Sequence, residues 1–404
     1  MRNATRAAFT NLIDLAIREA VAFVLLVGDL YDGDWKDYRT GLYFTREMAR
    51  LNAAGIHVYM LQGNHDAESQ ISKNLNLPAN VRRFTTNKPQ SFRIEELDVV
   101  IVGQGFKTRA VSENLCANYP QAKSGVFTIG MLHTSVDGRE GHDPYAPCSL
   151  SDLVSRGYDY FALGHVHNRE VLSQDPWVVF PGNIQGRHIR ETGQKGCTLV
   201  EVEDGRILTV EHRSVDVARW VRCQIDAASV ETTNELLALI EARLKTEIAA
   251  AEGLPLAARI IIQGSSAVHN TLLSDEARWK SEIRNVAVSF TDGAVWIEKI
   301  RFETRLPKSS TGSESGENPS QDGDNGLGQG GQDDIMRSIE EIKLDSDLLK
   351  SLQAEFEDLH RKLPGVLREG PDGIQLNEGD PYADLLKDAK EHLLSRLTNA
   401  GNYK

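Results

Sequence analysis

The 404-residue sequence has few cysteines and no long apolar segment. Its four cysteines lie far apart without a CxxC pair, so it offers neither a zinc ribbon nor the disulfide framework of a small secreted domain. No stretch approaches the roughly 18 uninterrupted apolar residues that a membrane-spanning helix needs. We therefore expect a cytoplasmic protein in a reducing compartment, with no membrane partner.

An excess of positive charge is also lacking. The formal net charge is −13, and residues 307–404 carry most of it, with eleven Lys and Arg against twenty Asp and Glu. Such a chain is unsuited to binding polyanions over its whole surface. Residues 1–306 are nearly neutral and can still carry a local basic patch, so charge alone does not exclude nucleic acid as a partner.

Helix and strand patterns alternate from the beginning of the sequence. Apolar residues recur at helical spacing over 4–20, and the apolar run 23–27 follows as a strand. A helix over 43–54 and a strand over 56–61 repeat the pattern. Further strands are predicted at 99–102, 126–132, 158–163, 177–180, 197–202 and 207–212. Apolar runs of this length are typical of buried strands in layered α/β proteins.

Composition divides the sequence into four parts. Residues 1–215 form a first α/β domain, and 216–306 form a small α/β module with predicted helices at 232–249 and 273–284 and strands at 258–263, 286–290 and 294–302. Residues 307–334 contain seven glycines, five serines and one large apolar residue, which predicts a disordered linker. Helical spacing returns at 335–363 and 382–397. These two helices have too little surface to be stable alone, so the tail 335–404 is expected to dock on a partner.

Four predicted strands end in small and polar residues of metal-binding types. They are followed by GDLYD at 28–32, GNHD at 63–66, His133, and GHVH at 164–167. Sites in open α/β sheets form at the carboxyl ends of strands, so we expect these loops to meet. Asp, Asn and His supply oxygen and nitrogen ligands that suit Mn²⁺, Fe²⁺ or Zn²⁺. Each segment alone has an ordinary explanation as a turn or a core histidine, but all four in this order favour a metal site.

This order of motifs resembles the calcineurin-like metallophosphoesterases, whose signature is D-x-H, GD-x-x-D, GNHD, a lone His and GH-x-H. The GDLYDGDW stretch, GHVH and the following FPGNIQ at 180–185 are most similar to the bacterial SbcD/YhaO-type DNA repair exonucleases. The resemblance covers residues 1–306. It implies a layered β-sandwich flanked by helices, a capping module at 216–306, and metal-dependent hydrolysis of phosphodiester bonds in DNA.

The resemblance also implies roles for individual residues. Asp29 would bridge two divalent ions, with Mn²⁺ as the expected metal, and His65 would donate a proton to the leaving oxygen. The remaining metal ligands would be Asn64, His133 and His165 for one ion and His167 for the other. Arg187 and Arg190 are candidates for holding substrate phosphate, although a solvated loop face explains them equally well. Asp32 either orients a ligand histidine or serves only in a turn.

The first motif of the family, D-x-H, has no counterpart before Gly28. In the family its strand lies inside the sheet, so we expect a hydrophobic slot beside residues 23–27 and one poorly supplied metal position. One hypothesis is that Met1 is an internal methionine of a longer protein that bears Asp-x-His. The alternative is a real loss that leaves a weakened or inactive subunit. A stop codon directly upstream of Met1, without an in-frame Asp-x-His, would exclude the first hypothesis.

Three functions are compatible with these residues. The leading interpretation is an exonuclease-type phosphodiesterase that acts on DNA ends by a two-metal mechanism. A phosphoesterase for small molecules or phosphoproteins would share every metal ligand. A non-catalytic scaffold subunit would keep the fold and use the tail. The resemblance further implies an SMC-like coiled-coil ATPase as partner and dimer formation, which is frequent in the family.

Overall fold

The computed structural model describes residues 3–30, 38–68, 75–137, 145–291, 293–307, 339 and 389–390. Its helices are α1 (Ala4–Arg18), α2 (Tyr38–Ala53), α3 (Leu150–Val154), α4 (Thr233–Ala250), α5 (His269–Ser274) and α6 (Glu276–Thr291). Its strands are β1 (Phe23–Val27), β2 (His57–Leu61), β3 (Val81–Arg83), β4 (Gln90–Ile94), β5 (Val99–Gly103), β6 (Phe127–His133), β7 (Tyr160–Gly164), β8 (Glu170–Gln174), β9 (Trp177–Phe180), β10 (Gly196–Glu203), β11 (Arg206–Ser214), β12 (Arg219–Asp226), β13 (Leu256–Ser265) and β14 (Val295–Arg305). The α/β class expected from the sequence is confirmed.

Strands β1, β2 and β3 form a parallel sheet in that order. Phe23 pairs with His57 and Val27 pairs with Leu61, so β1 and β2 end level with each other. Helices α1 and α2 cover this sheet because their apolar residues, such as Ile13 and Leu51, recur on one face and are fully buried. The loops after β1 and β2 therefore start at the same edge.

A second sheet has the order β4-β5-β6-β7-β9-β8. Its four inner strands run parallel, which agrees with their continuous apolar sequences, and β6 is buried along its whole length. Leu61 and Tyr59 of the first sheet share one buried cluster with Ile101 and Met131 of the second. The two sheets thus pack face to face as the expected sandwich, and His133 at the end of β6 pairs with Gly164 at the end of β7.

The described chain divides into two compact units. One contains Met1–Val221 together with Ala251–Ala257, and the other contains Arg222–Ala250 and the residues from Ala258 onward. Strands β10 and β11 form an antiparallel pair, and β12, β13 and β14 form a three-stranded sheet. The boundary predicted between residues 215 and 216 lies close to this division and stays a prediction.

The strand predicted at 286–290 is wrong, because these residues continue helix α6. The sequence Val-Ala-Val-Ser-Phe has the β-branched composition of a strand. However, no glycine or proline separates it from the preceding helix, and the buried residues Ile283, Ala287 and Thr291 are spaced by four. This helical period decides the structure, and it leaves Val288 66% exposed on the outer face.

A cavity of about 1450 Å³ lies along β1, where the sequence predicts a hydrophobic slot. Residues 23–27 form one wall, and side chains of α1, β10 and the second sheet, including Phe9, Ile129 and Val200, form the others. Among the described residues, β1 pairs only with β2, so its opposite edge faces this cavity. Gly28, Asp29 and His165 also line it, so the cavity reaches the predicted metal-binding loops.

Several predictions concern residues that are not described. The linker 307–334 and the tail helices 335–363 and 382–397 lie outside the described residues, apart from positions 307, 339 and 389–390. Asp32 lies outside them as well. Within the described ranges, no helix combines the length and apolar character that crossing a membrane requires.

Candidate metal centre

The loops that follow four strands bring their polar side chains together. Ligand atoms of Asp29, His133 and His165 all lie within 4.8 Å of one another. Asn64 joins them, since its Oδ1 lies 2.9 Å from Nε2 of His133. The first two loops belong to one sheet and the last two to the other, so the centre sits where both sheets end. The convergence expected from the sequence is present, and the role of these residues as ligands stays a prediction.

The orientation of the His133 ring fits a cation. Its Nδ1 lies 2.9 Å from the carbonyl oxygen of Val27, which can only accept, so Nδ1 donates a proton there. Nε2 consequently faces two further acceptors, Oδ1 of Asn64 at 2.9 Å and Oδ2 of Asp29 at 3.3 Å. A lone pair pointing at two oxygens is unfavourable unless a proton or a metal ion lies between them. The donor set of imidazole nitrogens, a carboxylate and an amide oxygen therefore suits a divalent transition metal.

The charges of Asp29 and His133 affect each other's pKa. Burial raises the pKa of Asp29. The charge and hydrogen bond of His133 and the backbone N–H of His65 outweigh this effect and lower the pKa from 3.8 to about 2. Burial also lowers the pKa of His133, yet the neighbouring Asp29 carboxylate raises it above its ordinary value of 6.5. Asp29 is thus ionised over the whole physiological range, while His133 holds a proton more tightly than a free imidazole does, and a metal ion would compete with that proton.

The backbone at two of these positions is strained. Asp29 has φ +54° and His165 has φ +104°, both in the region that favours glycine. Such conformations cost about 1–3 kcal/mol and persist where the surrounding structure imposes them. Both strained residues belong to the cluster, and strain of this kind is typical of functional sites.

Glycines give the centre its close packing. Gly28 has φ +85°, and a Cβ there would lie 2.6 Å from Nδ1 of His133. A Cβ at Gly63 would lie 2.7 Å from Cε1 of the same ring and would also collide with the Asp29 carboxylate. Larger residues at either position would push the ligands apart.

Asp66 is a site residue that the sequence reasoning did not single out. Its carboxylate accepts hydrogen bonds from the backbone N–H groups of Leu30 at 2.9 Å and Gly63 at 3.0 Å. The side chain is buried and so joins the loop after β1 to the loop after β2. Its place as the last residue of GNHD was the available signal.

His65 lies at the edge of the cluster. Its backbone N–H donates to Oδ1 of Asp29 at 3.1 Å, and the half-buried residue lines the same cavity as Asp29 and His165. It is therefore placed beside the centre without belonging to the group of three. Its role as proton donor stays a prediction.

His167 is also outside the group of three, although it lines the same cavity. Its Nδ1 lies 2.8 Å from Oε1 of Glu191, a residue that the sequence reasoning missed. Burial raises the pKa of Glu191, but the hydrogen bonds from His167 and from the backbone of Arg187 lower it to about 2. A single acidic residue within the basic stretch 187–195 was the only signal in the sequence.

The two arginine candidates are placed differently. Arg187 lines the cavity, and its Nη2 lies 3.4 Å from Oε1 of Glu191. Arg190 is exposed on the same loop, but it is not among the described residues that line the cavity. Arg187 is thus the one of the two that lines the cavity, and a role of either in binding phosphate stays a prediction.

Comparisons with known proteins agree with the motif order. Residues 2–169 match the family described as calcineurin-like phosphoesterase, and residues 220–305 match the middle domain of metallophosphoesterase YhaO. The uncharacterized metallophosphoesterase YhaO of Bacillus subtilis is 37% identical over 66% of this chain and 65% of its own length.

More distant relatives are named DNA double-strand break repair protein Mre11. The protein from Sulfurisphaera tokodaii is 24% identical over 52% of this chain and 57% of its own length. The protein from Sulfolobus acidocaldarius is 23% identical over 56% of this chain and 62% of its own length. The chain therefore spans less than two thirds of the length of these curated relatives. The resemblance drawn from the sequence is confirmed.

Proposed function

We propose, from the match of residues 2–169 to the calcineurin-like phosphoesterase family, that this chain is a hydrolase that cleaves phosphodiester bonds at DNA ends. The observation that carries the proposal is the convergence of Asp29, Asn64, His133 and His165 on one point beside a further imidazole, His65. A carboxylate, an amide and imidazoles grouped beside a cavity that Asp29, His65 and His165 line suit metal-assisted hydrolysis of a phosphate ester.

The choice of DNA as substrate rests on the relatives. The relatives from Sulfurisphaera tokodaii and Sulfolobus acidocaldarius are named for repair of DNA double-strand breaks, and they match this chain over more than half of its length. The match of residues 220–305 to a YhaO middle domain extends the similarity beyond the phosphoesterase domain. A general phosphoesterase for small molecules would need only that first domain.

Each residue of the centre has its own role in this proposal. Two divalent ions, with Mn²⁺ as the proposed metal, would be held by these side chains: Asn64, His133 and His165 would belong to one ligand set, His167 to the other, and Asp29 to both. Ions bound there would polarise the phosphate and lower the pKa of an attacking water. The backbone bond from His65 to Asp29 holds the loop so that the His65 imidazole can donate a proton to the leaving oxygen. Arg187 is positioned to bind a phosphate oxygen.

Hydrolysis of three substrates tests the function. Linear DNA, closed circular DNA and bis(p-nitrophenyl) phosphate are incubated with the full chain and Mn²⁺. We expect cleavage of linear DNA, a loss of about 10²–10⁴-fold in His65→Ala, and little change in His57→Ala, an exposed histidine on β2. Cleavage of only the small phosphodiester would support the small-molecule alternative. No cleavage by a folded, metal-loaded protein would support the scaffold alternative.

We further propose an SMC-like coiled-coil ATPase as partner. It would bind segments 335–363 and 382–397, whose apolar residues recur at helical spacing. Co-purification of such an ATPase with the full chain, and its loss on deletion of residues 335–404, is the expected result. Metal affinity should not change on deletion, since every proposed ligand precedes residue 168. Retention of the ATPase by the shortened chain would contradict this partner site.

A further inference from the structure

We propose that Glu191 is a positioning residue of the metal site, which fixes the ring of His167 and holds Arg187 beside it. The inference rests on the proposed function, because only there is His167 a metal ligand. Glu191 is 3% exposed and lies 24 positions after the histidine, in the segment between β9 and β10. Nothing in the order of sequence motifs connects the two residues.

The first observation is the hydrogen bond between the two side chains. Oε1 of Glu191 lies 2.8 Å from Nδ1 of His167. A carboxylate can only accept, so Nδ1 of the neutral ring carries the proton and Nε2 carries the lone pair. The lone pair is the group that binds a cation. The bond therefore determines that Nε2 is the nitrogen that would bind a metal ion, and it limits rotation of the ring.

The second observation is that His133 has the same arrangement. Its Nδ1 is held by the carbonyl oxygen of Val27 at 2.9 Å, and its Nε2 faces Asp29 and Asn64. Two histidines from different loops thus each engage Nδ1 with a protein acceptor. In one the acceptor is backbone, and in the other it is the carboxylate of Glu191.

The third observation is that Glu191 contacts both His167 and Arg187, with Nε2 of His188 as a further neighbour at 3.6 Å from Oε1. Its Oε2 accepts the backbone N–H of Arg187 at 2.8 Å, and its Oε1 lies 3.4 Å from Nη2 of the same arginine. A buried carboxylate needs such partners to offset its lost hydration. Because His167 and Arg187 share one carboxylate, the predicted metal ligand and the predicted phosphate ligand are held in a fixed relation at the cavity.

The tautomer of His167 provides a test that needs no activity. Nitrogen-15 NMR of the metal-free full chain identifies which ring nitrogen of each histidine carries the proton. We expect His167 protonated at Nδ1 in the wild type and a mixture in Glu191→Ala. Asp216→Asn is the matched control, because Asp216 is also a buried carboxylate that accepts a backbone N–H, from Lys195, and binds an arginine. It should leave the His167 tautomer unchanged.

Titration with Mn²⁺ provides the second readout. Glu191→Ala should weaken binding at the His167 position by roughly 10–100-fold, and Asp216→Asn should not. Glu191→Gln should weaken it less, because the amide oxygen can still accept from Nδ1. Protonation of wild-type His167 at Nε2, or unchanged Mn²⁺ affinity in a folded Glu191→Ala variant, would overturn the inference. These outcomes do not depend on the substrate. If DNA is not cleaved but the tautomer and the affinity change as expected, the inference stands and the proposed substrate is wrong.

Discussion

Nε2 of His133 lies 2.9 Å from Oδ1 of Asn64, although the two residues are 69 positions apart and follow strands of different sheets. The contact exists because β1 and β2 end level with each other, β6 and β7 end level with each other, and the sheets pack face to face. The chemistry of the centre is thus a direct consequence of strand register.

Removal of the Asn64 amide tests whether this contact marks a ligand position. Asn64→Ala should weaken Mn²⁺ binding by more than about tenfold, since even the partners of ligands typically contribute this much. Asn80→Ala is the control, because Asn80 is a similarly buried amide whose Nδ2 donates to the backbone carbonyls of Ile56 and Met48. It should lower stability and leave metal affinity unchanged. Equal affinity in wild type and Asn64→Ala, measured by calorimetry, would remove Asn64 from the site.

Substitution of Gly28 separates backbone strain from crowding of the ligands. Gly28→Ala and Gly55→Ala both place a side chain at positive φ, +85° and +75°, which costs about 1–2 kcal/mol in each. Only the Cβ at position 28 meets His133, whereas the Cβ at position 55 meets nothing within 4 Å. Both variants should lose stability in denaturant titrations, and Gly28→Ala alone should also lose Mn²⁺ affinity. A metal site that tolerates Gly28→Ala would show that this packing is not needed.

The pair of Asp29 and His133 predicts how stability depends on pH in the metal-free protein. The pKa of His133 is raised above 6.5, so its contribution is present below that pH and is lost as pH rises through the raised value. The pKa of Asp29 is lowered from 3.8 to about 2, so its contribution is present above pH 3.8 and is lost as pH falls toward 2. The free energy of unfolding, measured with urea in EDTA, should therefore be highest between pH 3.8 and 6.5 and should fall on either side.

Asp29→Asn is the control for the pH profile. It removes the charge that raises the pKa of His133, so the loss of stability at higher pH should shift to lower pH or disappear. Part of the loss of stability at low pH should remain in this variant, because the pKa of Glu191 is also lowered to about 2. An unchanged profile above pH 6 in Asp29→Asn would show that the pair is not coupled.

The two arginines should differ in their effect on substrate binding. Arg187→Ala should raise KM for DNA by about tenfold, because it removes a charged hydrogen bond to phosphate of about 1.5 kcal/mol. Arg190→Ala should change KM by less than about twofold, since loop charges away from a site are weakly coupled to it. Steady-state kinetics at fixed ionic strength distinguish the two. A larger effect of Arg190→Ala would reverse the assignment.

The fold could be predicted where apolar runs are long. Strands β1, β2, β6, β7 and β9 follow continuous apolar sequences, and the sequence places each within one or two residues. Strand β4 was missed because it has no continuous apolar run: its apolar residues Phe92 and Ile94 are separated by Arg93. The five-residue run in α6 was misread because composition favours a strand, while the contacts of Ile283 and Ala287 require a helix.

The sequence predicts the site residues that lie at the ends of strands, but not the contacts between loops. Asp29, Asn64, His133 and His165 lie together because each is at or just after the carboxyl end of a strand, which the sequence pattern reveals. The bonds made by Asp66 and Glu191 could not be predicted, since each joins backbone or side chains of loops that are distant in sequence. Such pairings depend on how loops pack, for which periodicity carries no signal.

The most direct test of the account is anomalous X-ray diffraction from crystals of the full chain grown with Mn²⁺. We predict a strong anomalous peak within ligand distance of Asp29, Asn64, His133 and His165, and a second, weaker peak between Asp29 and His167. A folded protein whose bound Mn²⁺ lies away from these four residues, or that binds none at saturating concentration, would contradict the assignment of this cluster as the metal centre.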